Sequence, residues 1–531
     1  MAVRTTPWTI FSLADLFAVA VAVIALGCLG GSDGTATTSL DPPAEPDPPG
    51  EVPAFPFVAH VDQGDITSGK ILFDELFILG DELFEVEYST LDGSGALRLP
   101  NGCDFPQRFS RVPPGCGRFT GPNGQSCVGC HNTPLPTSAG GISSNVLQDP
   151  ARDGSGPFNV RNPTHLFGSG VLQVLAAEMT EDLQRIRGDA AQAAVAGGAA
   201  VVLPLTSKDI SFGTIAATRD VGGSVSFDTS QVAGVDPDLV IRPYGWKGNV
   251  TTLRDFCRDA ARGELGMEGE ELVIKDNQKD PTVGPDPDGD LVETELSVGD
   301  ITAITIYVAA QPVPTDISFL VSEGLEPPPT REVSAAVVQG EQLFAGIGCA
   351  SCHVPELRLD DPVFEEPTRR GGGSYLDGDL DPAATALDPD RPFRFHLVQE
   401  GESPRLEPHP AGGARVRLFG DLKRHDIGSA LADPQRTPVS DARGEPLMFG
   451  GAPVEVAVSV FLTAELWGVG NTGPWLHDGR AASLEEAVRL HGGEAQTARD
   501  NFVALSDGER AAVVEFLESL VLASPEGEDE D

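Results

Sequence analysis

The chain has 531 residues, 40% of them hydrophobic, which is enough to bury the cores of about two to four domains. Lys plus Arg number 36 against 80 Asp plus Glu, a formal net charge of −44, so nucleic acid and anionic membrane surfaces are repelled while small neutral solutes and basic proteins are not. The same charge suits solubility in a salty exterior.

Residues 1–28 read as an export signal: Arg4 precedes an apolar run from Leu16 to Leu26, too short to span a bilayer, and Ala25-Leu26-Gly27-Cys28 resembles a lipoprotein box. Either Cys28 carries a lipid anchor or the leader is cleaved without lipid. The mature product is in both cases periplasmic or in the cell envelope. Residues 29–57 are Gly, Ser, Thr, Asp and Pro with little apolar content, a disordered linker.

A first domain is expected over 58–330. A phrase of the type Gly-x-x-Leu/Ile-Phe appears at Gly69–Phe73 and Gly80–Phe84, marking a short amphipathic helix. Cys103 and Cys116 follow in a Gly- and Pro-rich loop, where an oxidising compartment lets them pair or they stay as thiols. Next comes Cys127-Val128-Gly129-Cys130-His131, a Cys-x-x-Cys-His run of the kind that attaches haem c through two thioethers and offers the imidazole to iron. A zinc site wants four ligands from two nearby pairs and a thioredoxin-like pair wants a βαβ setting; neither is present.

Downstream, His165 and Met179 are the nearest candidates for the second axial position of that iron. The alternatives are that they line an open pocket or pack. Glu178 is a candidate acid–base group, with a salt bridge as the competing role. Residues 190–202, rich in Ala and Val, and 210–227, with partial alternation, suggest a small β-rich insert. Trp246 lies in Gly245-Trp246-Lys247, ahead of a helical stretch from Leu253 to Leu265 that contains Cys257, read as a buried apolar side chain. Asp286, Asp288 and Asp290 around a Gly, with Glu293 beyond, either wrap calcium or form an acidic solvent loop. Leu296 to Ala310 reads as a helix, and the Pro-rich 311–331 as a crossing.

A second domain is expected over 331–522. Gly340–Phe344 repeats the helical phrase, and Cys349-Ala350-Ser351-Cys352-His353 repeats the haem run, so the chain holds two related units in tandem. Residues 365–392 form a long loop. Ser483 and Glu486 make a capping box, after which Leu484, Ala487, Val488 and His491 share one helical face and Gly492-Gly493 ends the helix. His491 therefore points to the core and is the candidate axial ligand opposite His353. A last helix spans Ser506 to Leu522, followed by an acidic tail, 523–531.

Trp475-Leu476-His477-Asp478-Gly479-Arg480 and His491-Gly492-Gly493-Glu494-Ala495, with Arg161 to Gly168 and Leu422 to Gly428, resemble the bacterial dihaem cytochrome c peroxidase superfamily, in its dihaem oxidoreductase, putative peroxidase or thiol-oxidoreductase-like branch. The likeness runs over roughly residues 60 to 522. It implies a mainly α fold of two tandem cytochrome c-like domains with long loops. It also implies two haem groups, the C-terminal one feeding electrons to the N-terminal one, which reduces hydrogen peroxide or a related small oxidant.

The electron donor implied is a small cytochrome or cupredoxin. In the peroxidases, a methionine fourteen residues beyond the His-Asp-Gly histidine ligates the C-terminal haem; counted from His477, that place holds His491. The departure implies His/His ligation and a lower potential. His425 and His477 either bond a haem propionate or brace the fold, and Trp246 and Trp475 either bridge electrons or fill the core. A non-catalytic electron carrier, or an oxidase of a protein or organic substrate, would share these features.

Overall fold

The computed structural model describes residues 59–89, 91–95, 123–148, 157–279, 281–287, 292–368, 370, 385–441 and 446–523. The leader with Cys28, the 29–57 linker, Cys103, Cys116, Asp288, Asp290 and all of the acidic tail but Ala523 lie outside them. Seven helices position the site: α1 (Phe73–Glu85), α2 (Ser169–Gly197), α3 (Leu253–Ala260), α4 (Val298–Ala309), α5 (Arg331–Gly346), α6 (Leu484–Leu490) and α7 (Asp507–Glu518). So do the strands β1 (Val201–Ser207), β2 (Ile210–Arg219), β3 (Val225–Asp228), β4 (Arg424–Asp426) and β5 (Val460–Leu462).

The repeated Gly-x-x-Leu-Phe phrase explains the helix pairing. Leu76, Gly80, Leu83 and Phe84 form the buried stripe of α1. A methyl at Gly80 would fall 2.2 Å from the carbonyl oxygen of Ala303 on α4, so the two backbones meet at that glycine. Phe77 and Phe84 close over Tyr307 on α4, with ring centres 5.0 and 5.3 Å apart. In α5 the corresponding Gly340 would place a methyl 1.9 Å from the carbonyl oxygen of Ala512 on α7, and Phe344 packs 5.5 Å from Phe516. The earlier copy, Gly69–Phe73, does not form a helix; Gly69 sits at positive φ in the turn that leads into α1.

Local signals start these helices where the sequence places them, but the last one, expected to reach Leu522, ends at Glu518. Ser297 and Asp300 form a reciprocal capping box on α4, as Ser506 and Glu509 do on α7. Beyond α7 the chain turns to pair Leu520–Val521 antiparallel with Thr315–Asp316, which fastens the C-terminal end to the crossing segment.

The β-rich insert is an antiparallel sheet in the order β1-β2-β3. Its first hairpin turns through Lys208 and Asp209, both at positive φ, the geometry of a two-residue loop that follows strand twist. Its buried face packs on α2.

The expectation of a mainly α fold is corrected to a mixed one, because the helices share the described residues with eight sheets of two or three strands. Long loops that are partly buried must satisfy their own N–H and C=O groups, and short ladders do this. Val363–Glu366 and Phe393–His396, at the two ends of the 365–392 loop, pair in this way. Every described residue falls within one compact unit, Pro56–Asp531. Among the described residues no helix is long and apolar enough to cross a membrane.

Candidate functional site

Both Cys-x-x-Cys-His runs open onto one cavity of about 900 Å³. At the first run, the Cys127 amide bonds the carbonyl of Phe84 at the end of α1, and the His131 amide bonds the carbonyl of Cys127, closing one helical turn. The imidazole of His131 lies 6.3 Å from the Phe84 ring. At the second run the His353 amide likewise bonds the carbonyl of Cys349, and the imidazole lies 6.3 Å from Phe344. Each Gly-x-x-Leu-Phe phrase thus sets a helix crossing with its glycine and backs a histidine with its phenylalanine.

The histidine tautomers test whether the site suits haem. Nδ1 of His131 donates to the carbonyl of Thr164 at 2.9 Å or of Ser138 at 3.2 Å, and Nδ1 of His353 donates to that of Phe419 at 3.1 Å. Nδ1 of His491 donates to the carbonyl of Ala487 at 2.8 Å. Burial lowers the pKa of all three, His353 to about 4, so each is neutral with its Nε2 lone pair unspent. A neutral imidazole oriented through Nδ1–H is the form that ligates a metal.

All three line the cavity, and His491 stands close enough to His353 that protonation of both rings is further disfavoured. The thiols of Cys127, Cys130, Cys349 and Cys352 are free of disulfides. Four buried polar atoms of cavity-lining side chains, Nδ1 of His165, Oγ1 of Thr437, Oε1 of Glu465 and Nε1 of Trp467, have no hydrogen-bond partner. Such orphans are what a wall built for a further polar group shows. The donor set, the cysteines and the cavity therefore fit two haem groups.

His165 differs from the other three imidazoles. Its Nε2 is spent on the carbonyl of Trp467 at 3.1 Å and its Nδ1 is left bare, which reverses the arrangement an iron ligand takes. Burial lowers it to about 4. Met179 and Glu178 do not reach the cavity wall. They lie where α2 is covered on every side, and Met179 is fully buried in the main hydrophobic cluster. The carboxylate of Glu178 accepts the amides of Asp360 and Asp361 at 3.0 and 2.7 Å and pairs with Lys208 at 2.7 Å. It ties α2 to the insert hairpin and to Asp360–Asp361 beyond the second run, so of the two roles the sequence left open to it, acid–base group and salt bridge, the structure has the salt bridge.

Two carboxyls missed in the sequence take up wall positions. After α3 the helix widens into a π turn, Ala261–Leu265, which turns Glu264 into the cavity beside the first run. Its carbonyl receives the amides of Asn123 and Gly124, and its Oε2 accepts Nδ2 of Asn123 at 2.5 Å. Burial raises its pKa to about 7, against the opposing pull of Asn123. Glu465 is raised to about 7 by burial as well. Glycines at 263 and 266 in an otherwise helical run were the available sign of the irregular turn; Glu465 left no such sign.

The wall also carries a buried charge cluster. Arg161 grips Asp433 through two bonds of 2.8 and 2.6 Å, and Lys247 reaches the same carboxylate at 3.0 Å while lying 3.4 Å above the centre of the Phe461 ring. Burial lowers Lys247 to about 8. His477 stacks on Phe461 at 4.5 Å, and burial lowers it to about 4, so it is neutral. Trp246 and Trp475, the two bridge candidates, both line the cavity, their indole N–H groups bonded to the carbonyls of Asn162 and Val469.

Ligating atoms of Cys352, Asp421 and His425 lie within 4.8 Å of one another. His425, however, donates from both ring nitrogens to carboxylates: although burial opposes its charge, Asp421, Cys352 and Glu494 raise it to about 10. A doubly protonated ring has no lone pair for a metal.

Residues 411–520 match the family described as "Di-haem oxidoreductase, putative peroxidase". No curated protein matches the chain. Solved structures that match include the Kuenenia stuttgartiensis hydrazine synthase pressurised with 20 bar xenon, 19% identical over 46% of this chain and 62% of that one, with a TM-score of 0.21. The chain thus spans less than two thirds of that protein's length. A MauG-like protein associated with microbial copper homeostasis is 15% identical over 57% of this chain and 78% of that one, with a TM-score of 0.27. The family match supports a di-haem redox function.

Proposed function

We propose that this chain, whose residues 411–520 match the di-haem oxidoreductase family, is an exported c-type enzyme that reduces hydrogen peroxide or a related small oxidant. One observation carries the reading: a single cavity holds two haem-attachment runs with matching neutral histidines, and a half-buried carboxyl near neutrality stands beside the first run. Cys127, Cys130 and His131 would hold one haem group, and Cys349, Cys352, His353 and His491 would hold the other. When bound, these groups supply one-electron redox chemistry and a site that polarises an O–O bond.

The chain's own residues do the rest. Glu264 accepts the proton of the peroxide oxygen nearer the reactive centre and returns it to the departing oxygen, which leaves as water. Two electrons and two protons complete the reduction of one peroxide to two waters. The electrons enter one at a time at the His353/His491 end from a small cytochrome or cupredoxin, and a basic donor is steered by the acidic surface. Trp246 and Trp475 line the space between. The leader would export it, with Cys28 lipidated or the leader cleaved without lipid, and residues 286–290 would wrap calcium or stay an acidic solvent loop.

The test is steady-state consumption of peroxide by the secreted, haem-loaded protein with a reduced donor. Turnover above that of free haem is expected; turnover equal to free haem would leave an electron carrier in its place.

A further inference from the structure

The two phrases Leu422–Gly428 and His491–Ala495 meet backbone to backbone. A methyl at Gly493 would lie 2.2 Å from the carbonyl oxygen of Asp426, and one at Gly428 would lie 2.9 Å from the amide nitrogen of Gly493. Where they meet, His425 bridges two carboxylates: Nε2 donates to Oδ2 of Asp421 and Nδ1 to Oε2 of Glu494, each at 2.9 Å. The second oxygen of Glu494 accepts the Asp426 amide at 3.0 Å, and the second oxygen of Asp421 accepts the Lys423 amide at 3.0 Å. The bridge is buried on the His425 and Asp421 side and exposed at Glu494.

Each end leads to a different axial histidine. Asp421 follows the turn whose Phe419 carbonyl takes the Nδ1 proton of His353. Phe419 and Leu422 both hold positive φ, a conformation non-glycine residues keep only when their surroundings fix it. The Gly420 amide binds the carbonyl of Val354, one residue past His353. Glu494 stands three residues past His491, across the two glycines that end α6. From Phe419 to Glu494 the connection is therefore continuous, and it passes through His425.

We propose that His425 is a positioning residue for the C-terminal haem, a clasp that fixes the spacing of His353 and His491 by joining the turn behind one to the loop behind the other. The role rests on the reading of His353 and His491 as axial ligands. Nothing in it requires His425 to touch the reacting atoms. A ring that gives a proton from each nitrogen to a carboxylate holds both flanking segments, whereas a neutral one would release one of them.

Magnetic-resonance spectra and reduction potentials of the full, haem-loaded protein test this, with wild type compared with His425→Gln, Glu494→Gln and Glu494→Asp. Glu494→Gln changes a single exposed carboxyl and keeps the test open should His425→Gln fail to fold. The expected result has three parts: altered g-values with a shifted potential at the C-terminal haem in His425→Gln and Glu494→Gln, an unchanged N-terminal haem signal, and partial recovery in Glu494→Asp. Wild-type signals at the C-terminal haem that persist unmoved in both neutral variants overturn the clasp alone. A wild-type protein lacking a His/His low-spin signal overturns the ligand reading and the clasp with it.

Discussion

The two Cys-x-x-Cys-His regions share a frame and differ in what faces it. In each, a helix ending in Leu-Phe meets a second helix at a glycine, and the phenylalanine backs the histidine at 6.3 Å. Across from the second run stands His491, neutral, with Nε2 free. Beside the first run the wall offers Glu264, and the nearby imidazole, His165, has spent its Nε2 on a backbone carbonyl. Under the proposed function, one frame would serve two chemistries: a site closed by a nitrogen ligand suits holding an electron, and one bordered by a carboxyl suits moving a proton.

The largest expected effect comes from erasing that difference. Glu264→Gln keeps the size and the Asn123 contact but removes the base, so kcat/KM for peroxide should fall by about 10²–10⁴-fold, the usual share of a positioned acid–base group. The C-terminal haem spectrum should not change; a variant with full turnover would show that the two sites do not differ in this way. The same residue sets a pH dependence. Its folded pKa, about 7, lies above the ordinary carboxylate value, so the base form is lost as pH falls through about 7. Peroxide turnover should then decline tenfold per pH unit on the acid side in wild type and lose that limb in Glu264→Gln. Stability runs the opposite way: the folded state holds this proton more tightly than the unfolded chain, so Glu264's contribution falls as pH rises from about 4.5 to about 7.

A smaller effect probes the shared frame. Gly80→Ala and Gly340→Ala each force a methyl onto a backbone carbonyl at 2.2 and 1.9 Å, and the helices must part. Each should cost about 1–3 kcal/mol, as overpacking does. Denaturation of the two variants measures the loss. Gly80→Ala should disturb only the haem on His131 and Gly340→Ala only the one on His353; a variant that perturbs both would mean the frames are not separate.

The sequence was most informative where chemistry demands a fixed spacing. The turns of the two Cys-x-x-Cys-His runs, the cap at Ser483, the capping box at Ser506 and the inward face of α6 depend on neighbours within one or two turns, and the structure places them accordingly. The sequence left Glu178 between an acid–base group and a salt bridge; only the packing of the β1–β2 turn and of Asp360–Asp361 on α2 reveals its partners in Lys208, Asp360 and Asp361. Glu264 drew no reading of its own within the helical stretch from Leu253 to Leu265, because the π turn that carries it is set by tertiary packing. The small ladders escaped for the same reason, since their partners lie far apart in the chain, as Thr315–Asp316 and Leu520–Val521 do. His491 was legible because its neighbours along one helix face are enough to aim it.

The smallest effect sharpens the comparison at its most local point. Helix α6 has seven residues, too few to persist without its ends being fixed, and His491 is its C-terminal cap residue. Ser483 accepts the Glu486 amide at 3.1 Å, while the Glu486 carboxylate returns to the amide of Ala482 at 2.9 Å. Ser483→Ala should remove about 1 kcal/mol through the lost cap. Because the helix is so short, that loss should concentrate in the turn where the Ala487 carbonyl holds the His491 ring. Amide exchange at Ala487 to His491 should quicken about fivefold, with no change in α1 or α4, since 1 kcal/mol corresponds to roughly that factor in a local opening equilibrium. Uniform quickening across both frames would mean that His491 is held by the whole fold rather than by its own helix.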